Sequence, residues 1–232
     1  MKNVVIFSGS GVSAESGIPT FRSGVDGLWN NHRIEDICTH EAMEWNRKGV
    51  IEFYNDLRRQ MFSKKPNAAH LAIAAFENTP GFNVRIVTQN VDDLHERAGS
   101  RNVVHLHGEL RKLRSSIDEL ATVDLDGWEQ DPDARHPDGS LLRPYIVFFG
   151  EGVPYYGLAA ELVSEADVLL VVGTSLQVYP AAGLVQVAKP DAKIFVVDPS
   201  DLNLSYIGGN VTHIKKPASV GVPEAIELIK AL

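Results

Sequence analysis

Apolar residues gather in short unbroken runs, separated by polar or glycine-rich turns. Residues 3–7, 83–88, 103–106, 145–149, 167–172 and 193–197 each predict a strand buried on both faces. Between them, apolar positions recur at helical spacing. Val50, Ile51, Phe53, Tyr54, Leu57 and Met61 share one side of a long helix expected over 41–63. Pro66-Asn67 opens a second helix over 68–77, with proline at a favoured start position. Shorter helices are predicted over 91–98, closed by Gly99, and over 155–164, 181–188 and 223–232. Strands alternating with helices predict an α/β fold around a doubly wound parallel sheet. A helical stretch at 28–77 and an irregular acidic one at 109–143 interrupt the alternation. Together they predict a smaller inserted lobe, leaving 1–27, 78–108 and 144–232 as the main domain.

A chain of 232 residues suits one large domain with such a lobe. The first apolar run is too short for a signal-peptide core or a membrane span. The single cysteine, Cys38, excludes an intrachain disulfide and a thiolate metal cluster. That usage fits a reducing compartment, and a cytoplasmic location is expected. Residues 115–140 hold eight acidic side chains against Arg135 alone, so nearly all of the net charge of −8 lies there. Nucleic-acid binding through a basic surface is therefore not expected. The acidic stretch either steers lysine-rich partners or is a solvated loop.

Candidate chemistry sits at the strand ends. Gly9-x-Gly11-x-x-Ala14 follows the first strand with the spacing of a dinucleotide loop. The first glycine allows a tight turn, the second a close backbone approach to a pyrophosphate, and the small third residue close packing of the next helix. An ordinary glycine turn has the same appearance. Ser16-Gly17-Ile18-Pro19-Thr20-Phe21-Arg22 then breaks any long helix, because Gly and Pro both oppose it. A hydride-transferring dehydrogenase would continue a helix here; this chain predicts a loop that folds over its cofactor. The other strand ends carry Gln89-Asn90, His107-Gly108, Gly173-Thr174-Ser175 and Asp198. In a doubly wound sheet they converge on one edge, where ligands bind.

These residues resemble the sirtuins, the NAD-dependent protein deacylases. The resemblance rests on Gly9 through Arg22, Thr88-Gln89-Asn90-Val91-Asp92, His105-Leu106-His107-Gly108-Glu109, Phe149-Gly150-Glu151, Gly173-Thr174-Ser175 and Val178-Tyr179-Pro180-Ala181-Ala182-Gly183. It implies a Rossmann-like domain, a small lobe, and an acyl-lysine peptide bound between them, with NAD consumed as co-substrate. Backbone N–H groups around Gly9, Ser10 and Gly11 would hold the pyrophosphate. Ala14, Ile18 and Asp92 would line a nicotinamide pocket, and Phe21 and Arg22 would cap the reacting ribose. Gln89 and Asn90 would position that ribose or its water. Gly173, Thr174, Ser175, Asp198 and Ala218 would hold the adenosine half. His107 would be the catalytic base, since histidine titrates near neutral pH. His105 is expected to be structural, and His95 to be helix surface or a hydrogen-bonding support. Val147, Phe149, Gly150 and Glu151 on one side, with Val178 on the other, would sandwich the peptide as an added strand. Tyr54 would sit at the acyl end.

The chain departs from the family in two places. Most sirtuins carry two Cys-x-x-Cys pairs binding structural zinc in the small lobe; this chain has neither pair, and no zinc is expected. His136 among Asp131, Asp133 and Asp138 fits neither a zinc nor a calcium spacing. Sirtuins that prefer malonyl or succinyl groups have Tyr-x-x-Arg on the long helix. Here Tyr54 is followed by Leu57, with Arg58 one turn from Tyr54. Neutral acyl groups such as acetyl are therefore favoured. Mono-ADP-ribosyl transfer, NAD hydrolysis, or a catalytically silent NAD-sensing module remain the alternatives. The oligomeric state is left open, and a monomer is compatible with the sequence.

Overall fold

The computed structural model describes residues 1–20, 33–208 and 210–232. Its strands are β1 (Lys2–Ser8), β2 (Phe82–Thr88), β3 (Val103–His105), β4 (Gly108–Ser115), β5 (Thr122–Asp124), β6 (Leu142–Ile146), β7 (Val168–Val172), β8 (Lys193–Val197) and β9 (Asn210–Ile214). Its helices are α1 (Ile34–Ile37), α2 (His40–Trp45), α3 (Arg47–Phe62), α4 (Ala68–Glu77), α5 (Leu94–Arg97), α6 (Tyr156–Glu165) and α7 (Ala218–Lys230).

Six strands form the main sheet in the order β3-β2-β1-β7-β8-β9, and every neighbouring pair is parallel. Alternate residues of the central strands serve opposite faces. Val4, Ile6, Val84, Ile86 and Leu170 pack against Ala69, Ile73 and Phe76 of α4 and Val222 and Ile226 of α7. Val5, Phe7, Leu169 and Val171 pack under Ala159 and Val163 of α6 and the 3-10 stretch Ala181–Val187. Burying each large apolar side chain contributes about 1.5–3 kcal/mol. The strand order reverses between β1 and β7, which leaves a crevice at their carboxyl ends.

Several elements differ from the sequence expectation. Residues 41–63 are two helices, because the backbone at Asn46 leaves the helical region (φ −130°) and its amide donates to the Asp36 carbonyl at 2.8 Å. The expected strand at 145–149 lies earlier, at Leu142–Ile146, and belongs to a separate antiparallel sheet ordered β5-β4-β6. Part of the stretch expected to be irregular is thus strand. In β4, buried Leu110, Leu113 and Ser115 are interspersed with charged residues. The edge strand β9 was not expected, since its polar outward face hides the pattern. Helix α7 begins at Ala218 rather than 223, and Pro223 lies inside it. Helix α4, grouped on sequence with the lobe at 28–77, packs on the main sheet. The lobe boundary at 27 and 28 falls outside the described residues.

The small sheet is fastened by guanidinium groups. Arg47 donates to the Pro132 carbonyl at 2.9 and 3.1 Å and to the Leu142 carbonyl at 2.6 Å. Arg58 donates to the Leu110 carbonyl at 2.7 Å. Arg143, almost fully buried, holds both oxygens of Glu151 at 2.6 and 3.1 Å and lies over the Phe148 ring at 4.1 Å. Its Nη2 also donates to the Ile146 carbonyl at 3.2 Å. Replacing one member of a buried ion pair strands the other charge. Arg143→Ala is expected to lower the unfolding free energy by about 3 kcal/mol, measured by urea denaturation. A loss under about 1 kcal/mol, the scale of a surface pair, would show the clamp to be peripheral.

Candidate active site

The crevice opens into a cleft of about 1280 Å³ that runs from the carboxyl edge of the main sheet to the small lobe. Its described walls include Ser10, Gly11, Ala14, Ile18, Gln89, Asn90, Asp92, His107, Gly173, Thr174, Ser175, Asp198 and Ala218. At the lobe end it is lined by Tyr54, Val147, Phe149, Gly150 and Glu151, with Val178 on the sheet side. The sequence candidates are thus brought together, with three exceptions. Gly9 sits behind the wall, and Phe21 and Arg22 lie outside the described residues.

The floor is made by glycines. Gly11 donates its N–H to the Gly173 carbonyl at 2.8 Å, and Gly9 donates to the Val172 carbonyl at 3.0 Å. A Cβ on Gly11 would lie 2.6 Å from the Gly173 Cα, and one on Gly9 2.8 Å from the Thr174 Cβ. Gly173 is left-handed (φ +57°), and its own Cβ would meet Gly11 and Val12 backbone at 2.4 Å. The N–H groups of Gly9 and Gly11 are therefore engaged inside the fold; these glycines supply close approach. No long helix follows. Two single 3-10 turns, Ser10–Val12 and Ala14–Ser16, end at left-handed Gly17 (φ 77°). The wall over these glycines is short and irregular.

A buried polar network stands behind this floor. Asn67 N–H donates to His70 Nδ1 at 3.3 Å, so the His70 proton is on Nε2, 3.4 Å from Ser13 Oγ. Ser13 Oγ also receives Asn90 Nδ2 at 3.2 Å and donates to Asp92 Oδ2 at 3.0 Å. Asp92 Oδ1 accepts the Leu94 N–H at 3.1 Å. Burial pushes the Asp92 carboxyl above its ordinary range, and these two donors pull it back in part. Burial lowers His70 to about 4, so it stays neutral in the tautomer that serves Ser13. Ser8 Oγ links Thr88 Oγ1 at 2.9 Å and His95 Nε2 at 3.0 Å, and Thr88 Oγ1 accepts the Asn90 N–H at 3.1 Å. His95 is 1% exposed, which excludes the helix-surface reading.

Sequence reasoning missed Ser8, Ser13, His70 and Thr88 because the bonds that join them into one network span 57 to 87 residues; only Ser13, inside the glycine loop, carried a local signal.

Two histidines at one strand end divide the labour. His105 reaches the Asn90 carbonyl through Nδ1 at 2.8 Å and Glu96 through Nε2 at 2.9 Å. Both partners are acceptors, so both ring nitrogens donate. Burial opposes that charge, but Glu96 overrides it and holds His105 above its ordinary value. His105 is a fixed support. His107 donates Nδ1–H to the Gln89 carbonyl at 3.0 Å, which leaves the Nε2 lone pair for chemistry. Burial lowers its pKa, outweighing that hydrogen bond.

Gln89 Oε1 accepts from Thr174 Oγ1 at 3.0 Å, while its buried Nε2 has no protein partner among the described residues. Gln89 thus offers a donor to a hydroxyl-bearing ligand on the cleft wall. Thr174 Oγ1 also accepts the Leu176 N–H, and Asp198 Oδ1 the Ser200 N–H at 2.8 Å. The close glycine floor and the unused Gln89 donor fit a dinucleotide.

At the lobe end, Tyr54 stacks on Phe148 at 5.9 Å and donates to Cys38 Sγ at 3.3 Å. Leu57 lines the cleft, whereas Arg58 lines a different cavity behind it. Val147 N–H donates to the His107 carbonyl and Phe149 N–H to the Cys38 carbonyl, both at 3.0 Å. The Glu151 carboxylate is committed to Arg143, Arg114 and the Phe148 N–H, so it shapes this loop. The residues do not fit a structural zinc: among those described, no group of three His, Cys, Asp or Glu side chains can hold a metal ion. Nor is any described helix long and apolar enough to cross a membrane.

A glycine floor at the switch point of a parallel sheet, facing a histidine base, defines a nucleotide-dependent enzyme site. Residues 9–180 match the model of the Sir2 family, and the chain belongs to that family. It is 56% identical to an NAD-dependent protein deacylase of Aggregatibacter actinomycetemcomitans, over 84% of this chain and 92% of the relative. Identity to the protein of the same name from Bacteroides thetaiotaomicron is 42%, over 99% and 98% of the two chains. Among solved structures, a Sir2 homolog–NAD complex superposes with a TM-score of 0.85 at 38% identity, covering 98% of this chain and 89% of that one. Sir2Tm bound to a propionylated peptide gives 0.77 at 26% identity, over 99% and 94%.

The His107 geometry has a direct spectroscopic consequence. A proton NMR titration should place its pKa below 6.5, the ordinary histidine value. A value at or above that would mean that the ring is solvated or paired with an acid.

Proposed function

We propose that this chain is an NAD-dependent protein lysine deacylase whose preferred groups are neutral acyl chains, acetyl foremost. The observation that supports it best is His107: half-buried, its pKa lowered by that burial, and held by the Gln89 carbonyl so that Nε2 is the free base. NAD, when bound, supplies an activated ribose carbon that the acyl-lysine amide oxygen can attack as nicotinamide departs. The glycine floor seats the pyrophosphate by close approach. Ser13 orients the Asn90 and Asp92 side chains, and Asp92 retains acceptor capacity for the nicotinamide carboxamide. Gln89 Nε2 donates to a ribose hydroxyl. His107 Nε2 then takes the proton of the ribose hydroxyl that captures the acyl carbon. Water completes the release of free lysine and of acyl-ADP-ribose. The segment from Val147 to Gly150 and that around Val178 hold the peptide by its backbone.

Mono-ADP-ribosyl transfer uses the same floor with another nucleophile, but no described feature favours it. A silent NAD sensor would need neither His107 nor the Ser13 network. Mass spectrometry of products from NAD and an acetyl-lysine peptide should find acyl-ADP-ribose, nicotinamide and free lysine. His107→Ala should lower turnover by about 10²–10⁴-fold with the fold intact. Full activity in that variant, or ADP-ribosylated protein as the main product, would remove the proposal.

The acyl end has its own test. Leu57 lines the cleft where a carboxylate reader would stand, and among the described residues no arginine lines the cleft. Acetyl-peptide turnover should exceed succinyl-peptide turnover. Leu57→Arg should shift the ratio toward succinyl by about tenfold or more, the worth of one charge-assisted contact. Faster desuccinylation by the unaltered chain would refute the neutral-acyl assignment.

A further inference from the structure

Behind the cleft lies a second cavity of about 190 Å³. Met61, Asp92 and Leu110 line both spaces, so the two share a wall. Three arginines from three elements meet in the smaller one: Arg58 from α3, Arg97 from α5 and Arg111 from β4. Arg58 is 1% exposed. Its Nε and Nη1 are satisfied by the Leu110 carbonyl and by Asn55 Oδ1 at 2.8 Å. Its Nη2 is buried and has no protein partner among the described residues. A buried guanidinium nitrogen left unpaired is costly, and native folds rarely tolerate one without a ligand or solvent to meet it.

The surrounding charges leave room for an anion. Arg97 pairs with Asp93 at 3.5 Å and donates to the Lys64 carbonyl. Arg111 lies over the Phe62 ring at 4.9 Å and makes no salt bridge with a described carboxylate. Both oxygens of Asp92 already accept hydrogen bonds, from Leu94 and Ser13. Three cations thus face two carboxylates, of which one is paired with Arg97 and the other turned to the network behind the glycine floor.

We propose that this cavity is an accessory site for a small oxyanion of phosphate size, bound by Arg58 Nη2 with Arg97 and Arg111 at its sides. The site does not depend on the acyl specificity argued above. It is distinct from the glycine floor, although Asp92 borders both.

Inorganic phosphate is the probe. The protein is first saturated with ADP-ribose, so that the glycine floor does not compete for the anion. Calorimetric titration at constant ionic strength should then show saturable binding of one phosphate. Arg111→Gln should weaken it by about tenfold, as expected for loss of one charge-assisted hydrogen bond, without altering the melting temperature of the phosphate-free protein. Arg58→Gln should weaken it at least as much; if that variant fails to fold, Arg97→Gln takes its place. Heat effects no different from sodium chloride, or phosphate affinity unchanged in the arginine variants, would overturn the site. The first outcome would mean that water alone meets Arg58 Nη2.

Discussion

The site depends on the backbone contact between Gly11 and Gly173. It joins the turn after β1 to the turn after β7 with no side chain between them. Because the strand order reverses at this pair, the contact fixes where the crevice opens and how deep its floor lies. Ser13 follows two residues later and is held at a set distance from Asn90 and Asp92. Gln89 reaches across to Thr174, next to Gly173. The geometry that presents His107, itself tied to the Gln89 carbonyl, is thus referred back to one hydrogen bond between two glycines.

The small lobe solves a different problem. Its sheet has three strands, of which β4 runs eight residues and β5 only three. Planar guanidinium forks fasten it by gripping backbone carbonyls and one carboxylate. Arginine suits the task because it is always charged and its donors diverge in a fixed plane. Arg47 and Arg58 cross from α3 to β6 and β4, and Arg143 ties β6 to the loop that follows it. The lobe end of the cleft inherits its shape from them: Arg143 positions Phe148 and Glu151, and Phe148 in turn stacks on Tyr54.

Much of this was legible in the sequence. The central strands are uniformly apolar, so β1, β2, β7 and β8 stood out, and with them the parallel sheet. The residues at their ends were legible because small and polar types follow directly on those runs. What was hidden has a common cause. The polar edge strand β9 and the charged outward face of β4 mask a period-two pattern. The break at Asn46 depends on a carbonyl ten residues away. The Ser13 network depends on side chains brought together only by the fold. Local pattern reports burial well and reports long-range hydrogen bonding hardly at all.

One such long-range contact bears on how the molecule is made. Glu15, beside the glycine floor, accepts from the backbone N–H and the hydroxyl of Ser219 at 2.8 and 2.6 Å. It thereby satisfies the first turn of α7, which a sequence reader would have started at Pro223. During synthesis, the residues that form the floor leave the ribosome well before their partners after β7 and at the start of α7. Until then β1 has neither Gly173 to close against nor Ser219 to hold. The nascent chain therefore carries β1 with its β7 edge open even after β2 has paired with the other edge, in a topology whose non-local parallel pairings form slowly. The nucleotide floor is encoded in one segment and completed only by segments far downstream.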